Sequence, residues 1–142
     1  MTFAQAASVA VGSRSHELFA CADRVLDTSD IERVHDMRVA SRRLRAALEV
    51  FAPCFPRTEH RDVLRDVKRL ADALGARRDP DVQLETLEKL RDELAPEDHP
   101  GVDLLIERAR ERQTAGNTTL REALEAALVN DLRGRLEELA RT

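Results

Sequence analysis

Apolar residues recur at steps of three and four along almost the whole chain, and that period, near 3.6 residues, restricts the fold class more than any other feature. The clearest run is Val34, Met37, Ala40, Leu44, Ala47, Leu48 and Phe51, which fall on one side of a helix advancing about 100° per residue. Val63, Leu64, Val67, Leu70, Ala71 and Leu74 form a second stripe, and Val82, Leu84, Leu87, Leu90 and Leu94 a third. A looser one, Val11, Ser15, Leu18, Ala22, Val25 and Leu26, precedes them. No stretch alternates with the period of two that a half-buried strand requires. Composition points the same way: aromatic residues make up 3% of the chain, with no Trp and no Tyr, so the core must be built from aliphatic side chains on helices. The expected fold is all-α, an antiparallel bundle of four to six helices, with residues 1–142 forming one domain. A chain of 142 residues buries roughly two-thirds of its unfolded surface and needs no staples.

Helix breakers divide the pattern. The first helix is expected from about Thr2 to Leu26, with Gly12 as a weak point inside it. "DTSD", Asp27 to Asp30, offers capping oxygens for a second helix, which "PCFP" stops after Phe51 because Pro53 and Pro56 cannot continue it. A third begins near Thr58 and is expected to end at Gly75, a residue suited to the left-handed position beyond a helix. Asp79 as cap, Pro80 at the first helical position and Asp81 beside the positive dipole end predict a fourth helix. From Val102 to Ala140 one long helix or two are expected, with Gly116-Asn117 and Asn130-Asp131 as the candidate breaks.

The net charge of −4 excludes a generally basic surface of the kind that nucleic acid or anionic membrane selects. Cys21 and Cys54 lack zinc spacing and are expected to be reduced thiols. The N-terminal "MTFAQAASVAVGSRSHELF" has neither a basic leader nor a long apolar run, so the expected location is cytoplasmic.

Against that acidic background one segment is locally basic. Arg33, Arg38, Arg42, Arg43 and Arg45 are five of the 23 Lys and Arg side chains, gathered with His35 into thirteen positions that hold only one acid, Asp36. On the helical projection His35, Arg38, Arg42 and Arg45 share an arc of about 80° beside the apolar stripe. Arg43 and Asp36 lie off it, and Glu49 is the one acid that joins it. Like charges at these spacings repel by about 0.2–0.5 kcal/mol per pair, a cost that a bound polyanion would reverse. On the third helix Arg61, Arg65 and Arg69 form a row with Lys68 beside it, interleaved with Asp62, Asp66 and Asp72. Arg77 and Arg78 are expected near the N-terminus of the fourth helix, where free N–H groups favour an anion. Guanidinium forks bind phosphoryl oxygens in pairs and keep their charge at any cellular pH, which suits them to a chain of phosphates.

Two motifs carry a family resemblance. "HDMRVASRRLRAALEVF" is similar to the signature helix of the CHAD family, the conserved histidine α-helical domain: a His-x-x-Arg-Val element, an Arg-Arg-x-Arg run and an apolar end. "VKRLADALGARRDPDV", Val67 to Val82, resembles the second family pattern, LKxLxxxLGxxRDxDV. The resemblance implies a CHAD-type helical repeat that binds inorganic polyphosphate without catalysis, cofactor or metal. By motif it assigns the anion to His35, Arg38, Arg42, Arg43 and Arg45 and to Lys68, Arg77 and Arg78; geometry adds Arg65 and Arg69. Asp79 belongs to the expected cap. Arg108 and Arg112 lie where they can extend the basic surface. Members of this family typically carry two such bundles in tandem, often beside a catalytic triphosphate-tunnel domain, so this chain has one repeat's worth. A homodimer is the expected way to complete a two-bundle groove, and association with polyphosphate granules follows from the same resemblance.

Two other functions fit parts of the pattern. His35-Asp36 is similar to the paired residues of HD-type metal-dependent phosphohydrolases, but the two side chains diverge by about 100° on a helix, and nearby arginines would repel a cation. A nucleic-acid phosphate-binding module would use the same arginines, although a chain without Trp or Tyr lacks the usual stacking platforms.

Overall fold

The computed structural model describes residues 1–141, and the fold is an all-α bundle. Helix α1 (Phe3–Ala20) is followed by turns over residues 21–31, then α2 (Glu32–Val50), a short 3-10 turn (Ala52–Cys54), α3 (Arg57–Glu93), a second 3-10 turn (Pro96–Asp98), α4 (His99–Val129) and α5 (Leu132–Arg141). No strand occurs among the described residues.

Most apolar stripes read from the sequence are the core. Val11 and Leu18 of α1, Val34, Met37, Ala40, Leu44 and Leu48 of α2, Val63, Val67, Leu70 and Leu74 of α3, Leu120 of α4 and Leu132 and Leu136 of α5 pack into one buried cluster. The C-terminal half of α3 and the N-terminal half of α4 share a smaller cluster of Leu84, Val102, Ile106 and Ala109, with Leu87 and Leu94 against it. Their cross-links run in opposite senses along the chain: Arg77 with Asn117, Asp81 with Gln113, Gln83 with Arg112, Arg91 with Asp103. These two halves therefore form an antiparallel hairpin.

The helix boundaries differ from expectation at the end of α1, at the cap of α2 and along α3. Helix α1 begins after Thr2, whose side chain and that of Gln5 cap one another's backbone N–H groups at 3.1 and 2.8 Å. It ends at Ala20, six residues early, and residues 21–26 continue as turns that include Arg24 with φ at 55°. The "DTSD" oxygens do not cap α2: Asp27 accepts from Ser29 N–H and Oγ at 2.9 and 2.7 Å, and Asp30 pairs with Arg33 at 3.1 Å.

The largest correction concerns α3, which runs through Gly75 and Pro80 as one helix of 37 residues. Gly75 is not in the left-handed region, and neither Asp79 nor Pro80 starts a helix. A proline inside a helix leaves the carbonyl four residues earlier without its N–H donor, here that of Ala76. Long-range packing outweighs that loss. Helix α4 presses on this turn at Gly116, where an added Cβ would stand 3.2 Å from Ala76 O and 3.1 Å from Arg77 Cα. Gly116 is thus a close-approach point within α4 and not a break; the break falls at Asn130-Asp131, with Asp131 at φ 50°.

Candidate functional site

Helix α2 is held by its apolar side. Val34, Met37, Leu44 and Leu48 are fully enclosed, so the residues about 100° around the helix from them must reach outward. Arg42 and Arg43 are exposed, while His35, Arg38 and Arg45 are half-buried beside the core. Serine 41, buried on the inner side, donates to the carbonyl of Arg38 at 2.7 Å, the back-bonding usual for serine within a helix.

The five predicted α2 residues are not equally available. Arg43 reaches across to α1 and pairs with Glu17 at 3.0 Å. Glu17 also pairs with Arg14 at 3.0 Å, and the Arg14 hydrogen bond, with the charge of Arg43, holds the Glu17 carboxyl below the usual carboxylate range. Arg45 pairs with Glu49 one turn on, at 3.1 Å. Arg38 and Arg42 have no carboxylate partner among the described residues. Val39, Arg42, Arg43, Arg45, Ala46 and Glu49 line an open groove of about 560 Å³.

Helix α3 supplies a second basic surface next to the first. Arg61, Leu64, Arg65, Lys68, Arg69 and Asp72 line a depression of about 420 Å³. Its charges are more diluted, as the interleaved aspartates foretold. Arg65 stands 3.6 Å from Asp62 and 3.5 Å from Asp66, and Arg61 3.7 Å from Asp62. These contacts are long, and Asp66 makes its short one, 2.7 Å, to Arg135 of α5. Arg69 is exposed, with no ion-pair partner among the described residues. The two surfaces meet at Glu49, which lies 3.1 Å from Arg45 on one side and 4.0 Å from Lys68 on the other. His35, Arg38, Arg42, Arg43 and Arg45 thus share one helix, and the α3 residues Arg65, Lys68 and Arg69 adjoin them through that carboxylate.

Arg77 and Arg78 do not stand at a helix N-terminus, because α3 does not end before them. The expectation that Arg77 faces a ligand is corrected: its side chain is 0% exposed and pairs with the equally buried Asp81 at 2.6 Å. Its Nε donates to Asn117 Oδ1 at 2.9 Å, Gln113 donates to Asp81 at 2.7 Å, and Asn117 donates onward to the carbonyl of Leu26 at 2.9 Å. This network braces α3 against α4. Sequence reasoning missed it, although the i, i+4 spacing of Arg77 and Asp81 on one helix was the available signal. Arg78 is half-buried, and its enclosed Nη1 has no hydrogen-bond acceptor among the described residues. Arg108 and Arg112 lie on the hairpin with Val82, Leu87 and Leu105, and Arg112 is engaged with Gln83.

Other groups have structural surroundings. His60 is buried, its Nε2 2.6 Å from the carbonyl of Leu48 and its ring stacked on Phe55, which ties the end of α2 to the start of α3. Cys21 and Cys54 are free thiols, and burial raises the Cys21 thiol above its ordinary value. Among the described residues no three His, Cys, Asp or Glu side chains gather where they could hold a metal ion. No described helix is long and apolar enough to cross a membrane.

Comparison with known proteins bears on the whole arrangement. The family model of the CHAD domain matches residues 10–142. Over 94 residues the chain is 34% identical to a Mycobacterium tuberculosis protein, "Uncharacterized protein Rv2226", an alignment that takes in 66% of this chain and 17% of that protein. The chain therefore spans only a small part of the length of that relative. No solved structure matches it.

Proposed function

Since this chain belongs to the CHAD domain family, we propose that it is a binding module for inorganic polyphosphate, acting without catalysis of its own. The observation that carries the reading is the pair Arg38 and Arg42, adjacent on α2, reaching solvent and without carboxylate partners among the described residues, in a protein of net charge −4. A helix that leaves two like charges one turn apart unneutralised is less stable for it, and phosphoryl oxygens along a polymer would reverse the sign of that interaction. The proposed surface comprises His35, Arg38, Arg42, Arg43 and Arg45 with Arg65, Lys68 and Arg69; half-buried Arg78 stands farther along α3 and joins it only through the exposed part of its side chain. Arg77 is left out because it is buried. The described residues act as one such unit, and a second copy of the chain would supply a second basic face. A cytoplasmic location at polyphosphate granules follows from the ligand.

Titration with phosphate oligomers of defined length tests the reading. Affinity should rise with chain length and fall with salt, each displaced contact adding about 0.7–0.9 to the log–log slope by analogy with nucleic acids. The double substitution R38A/R42A should remove about two contacts from that slope and weaken binding at least tenfold, with helicity intact. Unchanged affinity in that variant would reject the site. Displacement of long-chain polyphosphate by duplex DNA at equal phosphate concentration would favour nucleic acid as the ligand, and phosphate release on adding manganese or magnesium would favour a phosphohydrolase. Sedimentation at high micromolar concentration tests the second copy.

A further inference from the structure

Glu49 is hard to account for as a stabilising residue. It is the penultimate residue of α2 (Glu32–Val50), at the helix end where unsatisfied carbonyls give a negative potential and where a carboxylate is disfavoured. Nothing on the core side calls for it, since 48% of its side chain is exposed. What it touches is cationic: Arg45 Nε at 3.1 Å on its own helix and Lys68 Nζ at 4.0 Å on α3. It lines the α2 groove, and its partner Lys68 lines the α3 depression, so its carboxylate stands at the seam between the two basic surfaces. Arg45 and Lys68 are 42% and 43% exposed.

Resting on the polyphosphate reading above, we infer that Glu49 is a built-in competitor for the anion, a carboxylate occupying the position that a phosphate of a bound polymer takes between Arg45 and Lys68. Exposed ion pairs contribute little and release readily into water, so the carboxylate can swing out when a stronger anion arrives. A single phosphate meeting the seam must displace it with no other contact to offset the loss. A polymer already anchored at Arg38 and Arg42 presents its next phosphates at high local concentration and displaces it easily. Glu49 therefore makes the crossing from α2 to α3 accessible to chains and poorly accessible to single anions.

The test compares Glu49→Gln with Asp36→Asn, each removing one negative charge from α2. Asp36 is exposed and pairs with no cation among the described residues, so its variant reports the general effect of charge. With long-chain polyphosphate E49Q should bind about two- to tenfold tighter than wild type and show a steeper salt slope, by up to about 0.7–0.9, because no displaced carboxylate takes a counterion back. D36N should leave the slope unchanged. Orthophosphate should gain affinity at the seam in E49Q alone. Equal binding by E49Q and wild type, or a D36N variant that reproduces the gain and the slope, overturns the inference while leaving the polyphosphate reading in place. Absence of polyphosphate binding in all three proteins removes both.

Discussion

At the α3–α4 seam the fully enclosed guanidinium of Arg77 meets an acid of its own helix and a side-chain amide of the neighbouring one. On the outer face of α2 the guanidinium groups of Arg38 and Arg42 reach solvent with no carboxylate partner among the described residues. Arg77 and Arg42 are the same side chain in a chain where 35% of residues are charged, and only their surroundings separate them. Burial makes pairing obligatory, because an isolated charge in the interior costs several kcal/mol. At the surface water supplies the solvation, so an arginine can be left unpaired at the small cost of repulsion by its neighbours. The partner of Arg77 was settled by folding, whereas folding gives Arg38 and Arg42 no carboxylate partner among the described residues.

Deleting charge at the seam should have the largest effect of any change considered. R77A leaves Asp81 buried and uncompensated and strips Asn117 of a donor, and should cost about 3–5 kcal/mol in denaturant unfolding. Pairing R77M with D81L, which removes both charges together, should recover much of that loss. If R77A unfolds within about 1 kcal/mol of wild type, the network does not brace α3 against α4 and the contrast between the two regions disappears.

The two glycines of the same region sharpen the point. At Gly116 an added methyl meets backbone atoms of α3 at 3.1 and 3.2 Å, which no rotamer can relieve, so G116A should destabilise by about 1–3 kcal/mol as the helices part. At Gly75 an added Cβ would meet no packing neighbour within 4 Å among the described residues and φ is not positive, so G75A should stabilise by about 0.5–1 kcal/mol through helix propensity alone. Thermal unfolding of the two variants should therefore shift in opposite directions.

These glycines also show what the sequence could convey. The periodic stripes were legible because they record burial directly: Val34, Met37, Ala40, Leu44 and Leu48 lie in the core where the 3.6 period places them. The outward direction of Arg38, Arg42 and Arg45 followed from the same count. What local reading could not see was the partner helix. Gly75 and Pro80 carry the signals of a helix end and a helix start, but α4 packs against that turn and α3 continues through it. Arg77 was placed on the surface for the same reason, since the residues that enclose it, Gln113 and Asn117, lie more than thirty positions away. Glu49 was visible as the one acid in the arc, yet its contact with Lys68 depends on how α2 and α3 pack.

The smallest expected effect is the one that separates the two regions most sharply. R38A/R42A deletes two guanidinium groups, twice what R77A removes, yet its stability should change by no more than about 0.5 kcal/mol. The sign should favour the variant. Removing Arg42 relieves its repulsion with Arg38 and Arg45, worth about 0.2–0.5 kcal/mol per pair, and alanine has the highest intrinsic helix propensity. Against this stands the lost packing of the half-buried Arg38 stem along the core edge, which is why the net gain should be small. Denaturant unfolding at low salt reads the balance, and raising the salt should remove the part that comes from relieved repulsion, which is screened over about 10 Å at 0.1 M, and leave the propensity and packing contributions. A loss of more than about 1 kcal/mol would mean that α2 depends on these arginines for its own packing, and their lack of partners would then say nothing about a ligand.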